Sequence, residues 1–287
     1  MKETTKNYIR NARLFDDLFF EAFFRKDPKY IEIVIQAIFK QLGRPSVKVY
    51  SVKTQFHLST VEHRDVWLDA LAIDEKGRLI NIEVQRLVRK SSIIKRARYH
   101  SSLLDSNVLK TGSDFSELPE TFIIFIMESD LRGKGLAAYQ IERTFLDDCS
   151  SANDGTHFIF INGRYRGEDP IGNLMNDFNC RRGEDMRDSI LAQRAKFLKE
   201  TQEGREELSD LDAWYRAKRD EEVEQEVRER VKAEVKEEVK EEVKEEIVLN
   251  LLRNGLSYEV VASCTGTTVQ RVKEFYAKFL AEGLLLT

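Results

Sequence analysis

The segment VWLDALAIDEKGRLINIEVQR, residues 66–86, constrains the fold more than any other part of the chain. Two runs of alternating character flank DEKGR, and Gly77 supplies the permissive backbone that a hairpin turn needs. With the turn centred on Lys76, opposed residue numbers sum to 152, and Asp69 stands directly across from Glu83. Directly opposed residues on one face of an antiparallel pair have Cβ atoms about 4.5–5.5 Å apart. Two carboxylates that close either share a hard divalent cation or repel, one of them then holding a proton. The alternation points Leu68, Ala70, Ala72, Ile80, Ile82 and Val84 one way and Trp67, Asp69, Leu71, Asn81, Glu83 and Gln85 the other. The second face is a candidate cleft floor. Its competing reading is the solvated side of a half-buried strand, and a turn centred half a residue away would weaken the pairing.

Around this hairpin the pattern alternates between helix and strand. Residues 13–41 carry apolar side chains at three- and four-residue spacings, broken at Asp27-Pro28, which predicts two helices or one bent helix. Strands are predicted over 47–58, 66–73, 79–85, 121–127, 137–145 and 157–163, a helix over 92–109, and further helices through much of 170–202. The three cysteines, Cys149, Cys180 and Cys264, and four histidines show neither metal-ligand spacing nor a disulfide framework. The N-terminus has no apolar signal segment and no run approaches a membrane span, so a cytoplasmic location is expected.

Charge is distributed unevenly. Residues 203–246 hold 18 acidic and 10 basic residues, a local net of −8, which leaves the rest of the chain at +4. Within that acidic stretch, valines at 223, 227, 231, 235, 239 and 243 mark a four-residue unit close to V-K-E-E, continued by Ile247. On a 3.6-residue helix such a stripe rotates by about 40° per unit, so it makes no coiled-coil seam and predicts a solvated helical spacer. Whether two copies pair as a homodimer stays open. In contrast, Val84–Leu104 has six basic residues, Arg86, Arg89, Lys90, Lys95, Arg96 and Arg98, and no acid. A cationic segment beginning immediately after two carboxylates suits a phosphodiester substrate, although each side chain alone also reads as a solvated helix face.

After the spacer, Asn254-Gly255 closes one helix, Ser257 caps the next with Glu259 in its first turn, and Thr265-Gly266-Thr267 turns into a third. This is the outline of a helix-turn-helix, with Gln270, Arg271, Lys273 and Lys278 as groove contacts; a protein-contacting cap is the rival reading. Three regions are therefore expected: 1–202, a spacer at 203–246, and a helical unit at 247–287.

LDALAIDEKGRLINIEVQR, followed by KRARYHSSLLDSNVLKTGSDFSELPETFIIFIMESD, HFIFING and IGNLMNDFNC, resembles the PD-(D/E)XK nuclease family transposases, also called recombination-promoting nucleases. The charged repeat and NLLRNGLSYEVVASCTG extend the likeness to the end of the chain. The resemblance implies an α/β fold with a restriction-endonuclease-like α/β/α core and mixed sheet, followed by a long charged helix and a small helical unit. It also implies a metal-dependent DNA endonuclease linked to recombination or mobile elements, in which metal-activated water attacks the phosphodiester. Asp69 and Glu83 then match the metal-binding acids for Mg²⁺, with Mn²⁺ as substitute, and Glu32 matches a further acid from an early helix. Gln85 stands where the wider superfamily has lysine; this branch commonly has glutamine. An amide can position a water but carries no charge. The alternative is a nuclease-like DNA-binding module with little or no turnover.

Overall fold

The computed structural model describes residues 8–58, 65–86, 90–213 and 243–281. Two compact units divide near residue 214. Most of the charged repeat, and Arg89 with it, lies outside the described residues, as does the expectation of a long charged helix there.

The first unit is a six-stranded mixed sheet with helices on both faces. In chain order it comprises α1 (Asp17–Phe24), α2 (Pro28–Gln41), β1 (Val49–Leu58), β2 (Val66–Asp74), β3 (Leu79–Gln85), α3 (Lys90–Val108), β4 (Thr121–Met127), β5 (Ala138–Ile141), β6 (Thr156–Asn162), α4 (Pro170–Asn179), α5 (Ser189–Glu200) and α6 (residues 202–213). The break between α1 and α2 falls at Asp27-Pro28, as expected. Asp27 caps α2 by accepting from Lys29 N at 3.0 Å, and Pro28 takes the first helical turn, where no N–H is needed.

Strand order is β1-β2-β3-β4-β6-β5. β1, β2 and β3 form an antiparallel meander, β3, β4 and β6 run parallel, and β5 closes the edge antiparallel to β6. α3 is the crossover between the parallel strands β3 and β4, the connection that parallel pairing demands. β5 is shorter than the predicted 137–145: its ladder with β6 ends at Ile141 opposite Phe158, and beyond it the chain turns back on itself, with an isolated bridge between Thr144 and Ser151.

Side-chain alternation sorts two cores. Leu71, Ile123, Phe125, Met127, Phe158 and Phe160 pack with Ile93, Ala97, Leu103 and Leu104 of α3. The alternate residues of these strands face the other helices, as where Phe122 meets Phe39 of α2 with ring centroids 4.9 Å apart. β3 and β4 are consequently buried on both faces, every residue of β4 and all but Gln85 of β3. This corrects the picture of 79–85 as a half-solvated strand. Its polar alternates, Asn81 and Glu83, lie under α3 with no exposed surface. At the far side of the sheet, the buried Arg194 pairs with Glu207 at 2.8 Å and donates to the carbonyls of Ala22 and Phe23, joining α5 and α6 to the end of α1.

The second unit is helical: α7 (residues 243–253), α8 (Tyr258–Thr265) and α9 (Val269–Ala281). Ser257 and Gly266 take the capping positions that their residue types predict, Ser257 accepting from Val260 N and Gly266 adopting the left-handed conformation at φ 62°. Val248, Val261, Ala262, Val272, Phe275 and Phe279 form its core. Among the described residues no helix is long and apolar enough to cross a membrane.

Candidate active site at the end of the hairpin

The β2–β3 ladder pairs Ala70 with Ile82, Leu71 with Asn81, Ala72 with Ile80 and Ile73 with Leu79, each pair summing to 152. This is the register expected from a turn centred on Lys76, and one step further along it Asp69 faces Glu83. The ladder itself stops short of that step. In its place the Asp69 backbone N–H donates to Glu83 Oε1 at 3.2 Å, and the Val84 N–H donates to Asp69 Oδ2 at 2.8 Å. Each carboxylate thus satisfies an amide of the opposite strand, and both are held in the gap where the strands part.

The electrostatics of this gap are those of two crowded acids. Asp69 is half-buried as a residue, yet its carboxyl titrates well above the ordinary aspartate value. Desolvation is the main cause and the charge of Glu83 the next; the Val84 N–H and Arg96 pull in the opposite direction. Asp17, at the start of α1, adds further negative potential to Asp69, and its own carboxyl is also raised, by desolvation first, with Arg86 opposing.

Arg96 of α3 distinguishes itself from the other basic residues of its segment. Its Nη2 lies 3.2 Å from Glu83 Oε2, its Nη1 donates to Gln85 Oε1 at 2.9 Å, and its Nε donates to His100 Nε2 at 3.3 Å. Gln85 turns its own amide back, Nε2 donating to the Val84 carbonyl at 2.9 Å. The Gln85 side chain is thus an amide whose oxygen holds a guanidinium supplied from α3. The buried His100, one helical turn beyond Arg96, lies 3.6 Å from Glu83 Oε1 and 3.4 Å from Asn81 Nδ2.

The remaining expected residues fall elsewhere. Glu32 is not brought to the acids: its Oε2 accepts from Val49 N at 2.7 Å. Val49 pairs with Asp74, five residues along β2 from Asp69, or about 16 Å at the usual strand rise. Glu32 is therefore a fastener between α2 and the start of β1, and Asp17 is the early-helix acid within electrostatic reach of the pair. Arg86 pairs with Asp16 at 2.5 Å and approaches Glu128 at 3.6 Å. Lys95 and Arg98 are exposed on α3, and the backbone of Lys90 opens that helix. In the second unit Gln270, Arg271 and Lys273 are exposed on α9; Arg271 pairs with Glu274 at 3.0 Å, and Lys278 is engaged by Glu245 at 2.6 Å.

Sequence reasoning missed the rim beside Arg86. The C-terminal ends of β3, β4 and β6 are level, Gln85 with Met127 and Met127 with Asn162. There a cleft of about 340 Å³ is lined by Arg86, Glu128, Ser129, Arg164, Arg166 and Asn179. Gly163 lets the end of β6 pack closely here: a Cβ at that position would collide with the Met127 carbonyl and lie 2.7 Å from the Phe15 ring. The signal was available, because loops following the carboxyl ends of parallel strands are where α/β sheets bind ligands, and NGRYRG directly follows a recognisable strand.

Asp69 and Glu83 fit a hard divalent cation. Both are carboxylates, one oxygen of each is fixed by a backbone N–H, and Asp69 is partly open to solvent. Among the described residues no group of three or more His, Cys, Asp or Glu is placed to hold a metal ion, so any ion here would rest on these two carboxylates. Comparison with known proteins shows the family. A family model described as PD-(D/E)XK nuclease family transposase matches residues 14–162, just over half of the 287 residues, a span that includes Asp17, Asp69, Glu83, Gln85 and Arg96. No curated protein and no solved structure matches the chain. By the family model, and in keeping with its mixed sheet and the acid pair at the hairpin's open end, the chain belongs to the PD-(D/E)XK nuclease family transposases.

Proposed function

We propose that the chain is a metal-dependent DNA endonuclease whose reaction centre is Asp69, Glu83 and Gln85, with Arg96 supplying the cationic charge that Gln85 lacks. The observation that carries this reading is the guanidinium of Arg96 bridging Glu83 Oε2 and Gln85 Oε1 beside a second carboxylate. Asp69 and Glu83 would hold Mg²⁺, or Mn²⁺ in its place. A bound ion would supply Lewis-acid polarisation of the phosphoryl group and a more acidic water. Gln85 orients the water through its amide, and Arg96 offsets negative charge developing on the phosphoryl oxygens, a role that preorganised cations fill efficiently in partly dry sites. Arg86, Arg164 and Arg166 at the strand ends hold the neighbouring backbone.

A cation on Glu83 would share that carboxylate with Arg96, whose Nη2 lies beside Oε2, and with the Asp69 N–H on Oε1. The same ion pair supports a second reading, a DNA-holding module in which Arg96 stays on Glu83 and turnover is negligible. Nicking of supercoiled plasmid separates the two. Arg96→Ala is expected to slow Mg²⁺-dependent nicking by roughly 10- to 100-fold, and Arg96→Lys to retain more of it. Equal rates in wild type and Arg96→Ala would remove Arg96 from the mechanism.

A further inference from the structure

A second cleft, of about 370 Å³, lies away from the acid pair. Arg10, Arg181, Arg182, Lys199 and Arg205 line it, against the two acids Glu184 and Glu200. Their state of neutralisation differs. Arg182 is committed to Glu184 at 2.9 Å and Asp185 at 3.1 Å. Arg205 donates through Nε and Nη2 to the Lys199 and Glu200 carbonyls, which fixes it against the end of α5 and leaves its charge uncancelled. Arg10 and Arg181 are exposed and form no ion pair among the described residues.

Lys199 is the most telling of the five. Its Nζ donates to the carbonyls of Ala12 and Arg181, with no carboxylate partner among the described residues. Burial pulls its pKa down to about 8, with the charge of Asp16 partly opposing. A half-buried ammonium held by two carbonyls and by the face of the Phe19 ring, 4.7 Å from its centroid, with exposed arginines beside it, meets no carboxylate among the described residues. The chain also links this cleft to the reaction centre. Ala12, which accepts from Lys199, is four residues from Asp16, and Asp16 holds Arg86, three residues beyond Glu83. Arg13, between them, pairs with Glu128 on the rim at 2.5 Å.

We propose that this cleft seats backbone phosphates of the DNA substrate away from the scissile position, with Arg10, Arg181 and Lys199 as the cations that hold them. The polyanion is taken as DNA on the strength of the nuclease reading. The geometry recommends phosphate over a compact carboxylate ligand, because the three cations surround an open cleft and a phosphodiester presents two non-bridging oxygens to each seat. Backbone contacts of this kind set position and affinity and carry no sequence information.

The test is fluorescence anisotropy of the full chain with a short labelled duplex in EDTA, where cleavage cannot interfere. Both arginines are exposed, so the Arg10→Ala/Arg181→Ala variant is expected to melt like wild type. It should bind roughly tenfold more weakly at low salt, with the slope of log Kd against log salt reduced by about 2. Wild type that binds DNA while the variant matches it in affinity and slope overturns the cleft and leaves the nuclease reading standing. Wild type that retains no DNA at low salt overturns both. Inorganic phosphate provides a separate arm: if it raises the wild-type melting temperature, the variant loses that rise, and DNA affinity is equal in both, the cleft holds a free phosphate and the DNA assignment fails.

Discussion

Replacing Asp69 by asparagine should make the metal-free protein more stable and at the same time deaf to metal. The asparagine keeps the shape of the side chain and an oxygen for the Val84 N–H, which Asp69 accepts at 2.8 Å. It removes a charge facing the fully buried Glu83. Carboxylates on opposed positions, about 5 Å apart at an effective dielectric of about 20, repel by roughly 3 kcal/mol. Arg96, 3.2 Å from Glu83, offsets part of this, leaving a gain of about 1–2 kcal/mol. For a unit of this size that is a rise in Tm of roughly 2–8 °C. The pH dependence follows from the raised carboxyl of Asp69. The folded state keeps a proton that the unfolded chain releases near pH 3.9, so wild-type stability declines as pH rises above that value. The difference between variant and wild type should therefore be small near pH 3 and largest at neutral pH. Thermal melts in EDTA across this range measure it. Mg²⁺ at 100 times its Kd should then add about 2.7 kcal/mol to wild type and little to the variant. An Asp69→Asn protein that melts at or below wild type in EDTA at pH 7, or that gains equally from Mg²⁺, would refute the account of the pair.

Other expectations follow from neighbouring contacts. In an Arg96→Ala background, Gln85→Lys should recover part of the nicking rate by restoring a cation beside Glu83; single-turnover plasmid assays read this, and absence of any recovery would separate the two positions functionally. Glu32→Ala should leave cleavage unchanged while lowering stability by about 1–2 kcal/mol, seen as a lower urea midpoint, because its partner is Val49 N and not the reaction centre. Gly163→Ala should destabilise by about 1–3 kcal/mol or more, since its Cβ has no room between Met127 and Phe15; a melt equal to wild type would contradict that packing.

The hairpin was legible because turn chemistry and alternation agree, Gly77 marking the turn and the alternation assigning the faces, while the ladder decided between a turn centred on Lys76 and one half a residue away. Caps were equally plain, as at Asp27-Pro28, Ser257 and Gly266, where the residue type states the backbone requirement. The burial of Asn81 and Glu83 was not, because polar alternation looks the same whether water or α3 covers it; the cover comes from a crossover helix whose phase no local pattern specifies. For the same reason Arg96 could not be told from Lys95 or Arg98, although its spacing of four from His100 put both on one helical face. Glu32 and Asp17 illustrate a further limit. Both are acids on early helices, and only the distance along β1 and β2 decides which belongs near Asp69. The cleft at Lys199 draws residues from distant segments, so its charge was visible only as a mildly basic remainder.

The most direct measurement is nicking of supercoiled plasmid by wild type and Asp69→Ala, each with Mg²⁺ or Mn²⁺ and with EDTA, after both are shown to be folded by their melts. Nicking by wild type alone, and only with the cation present, is the predicted result. No nicking by wild type with either metal, or nicking that survives in Asp69→Ala, would contradict the assignment of Asp69 and Glu83 as the centre of a metal-dependent nuclease.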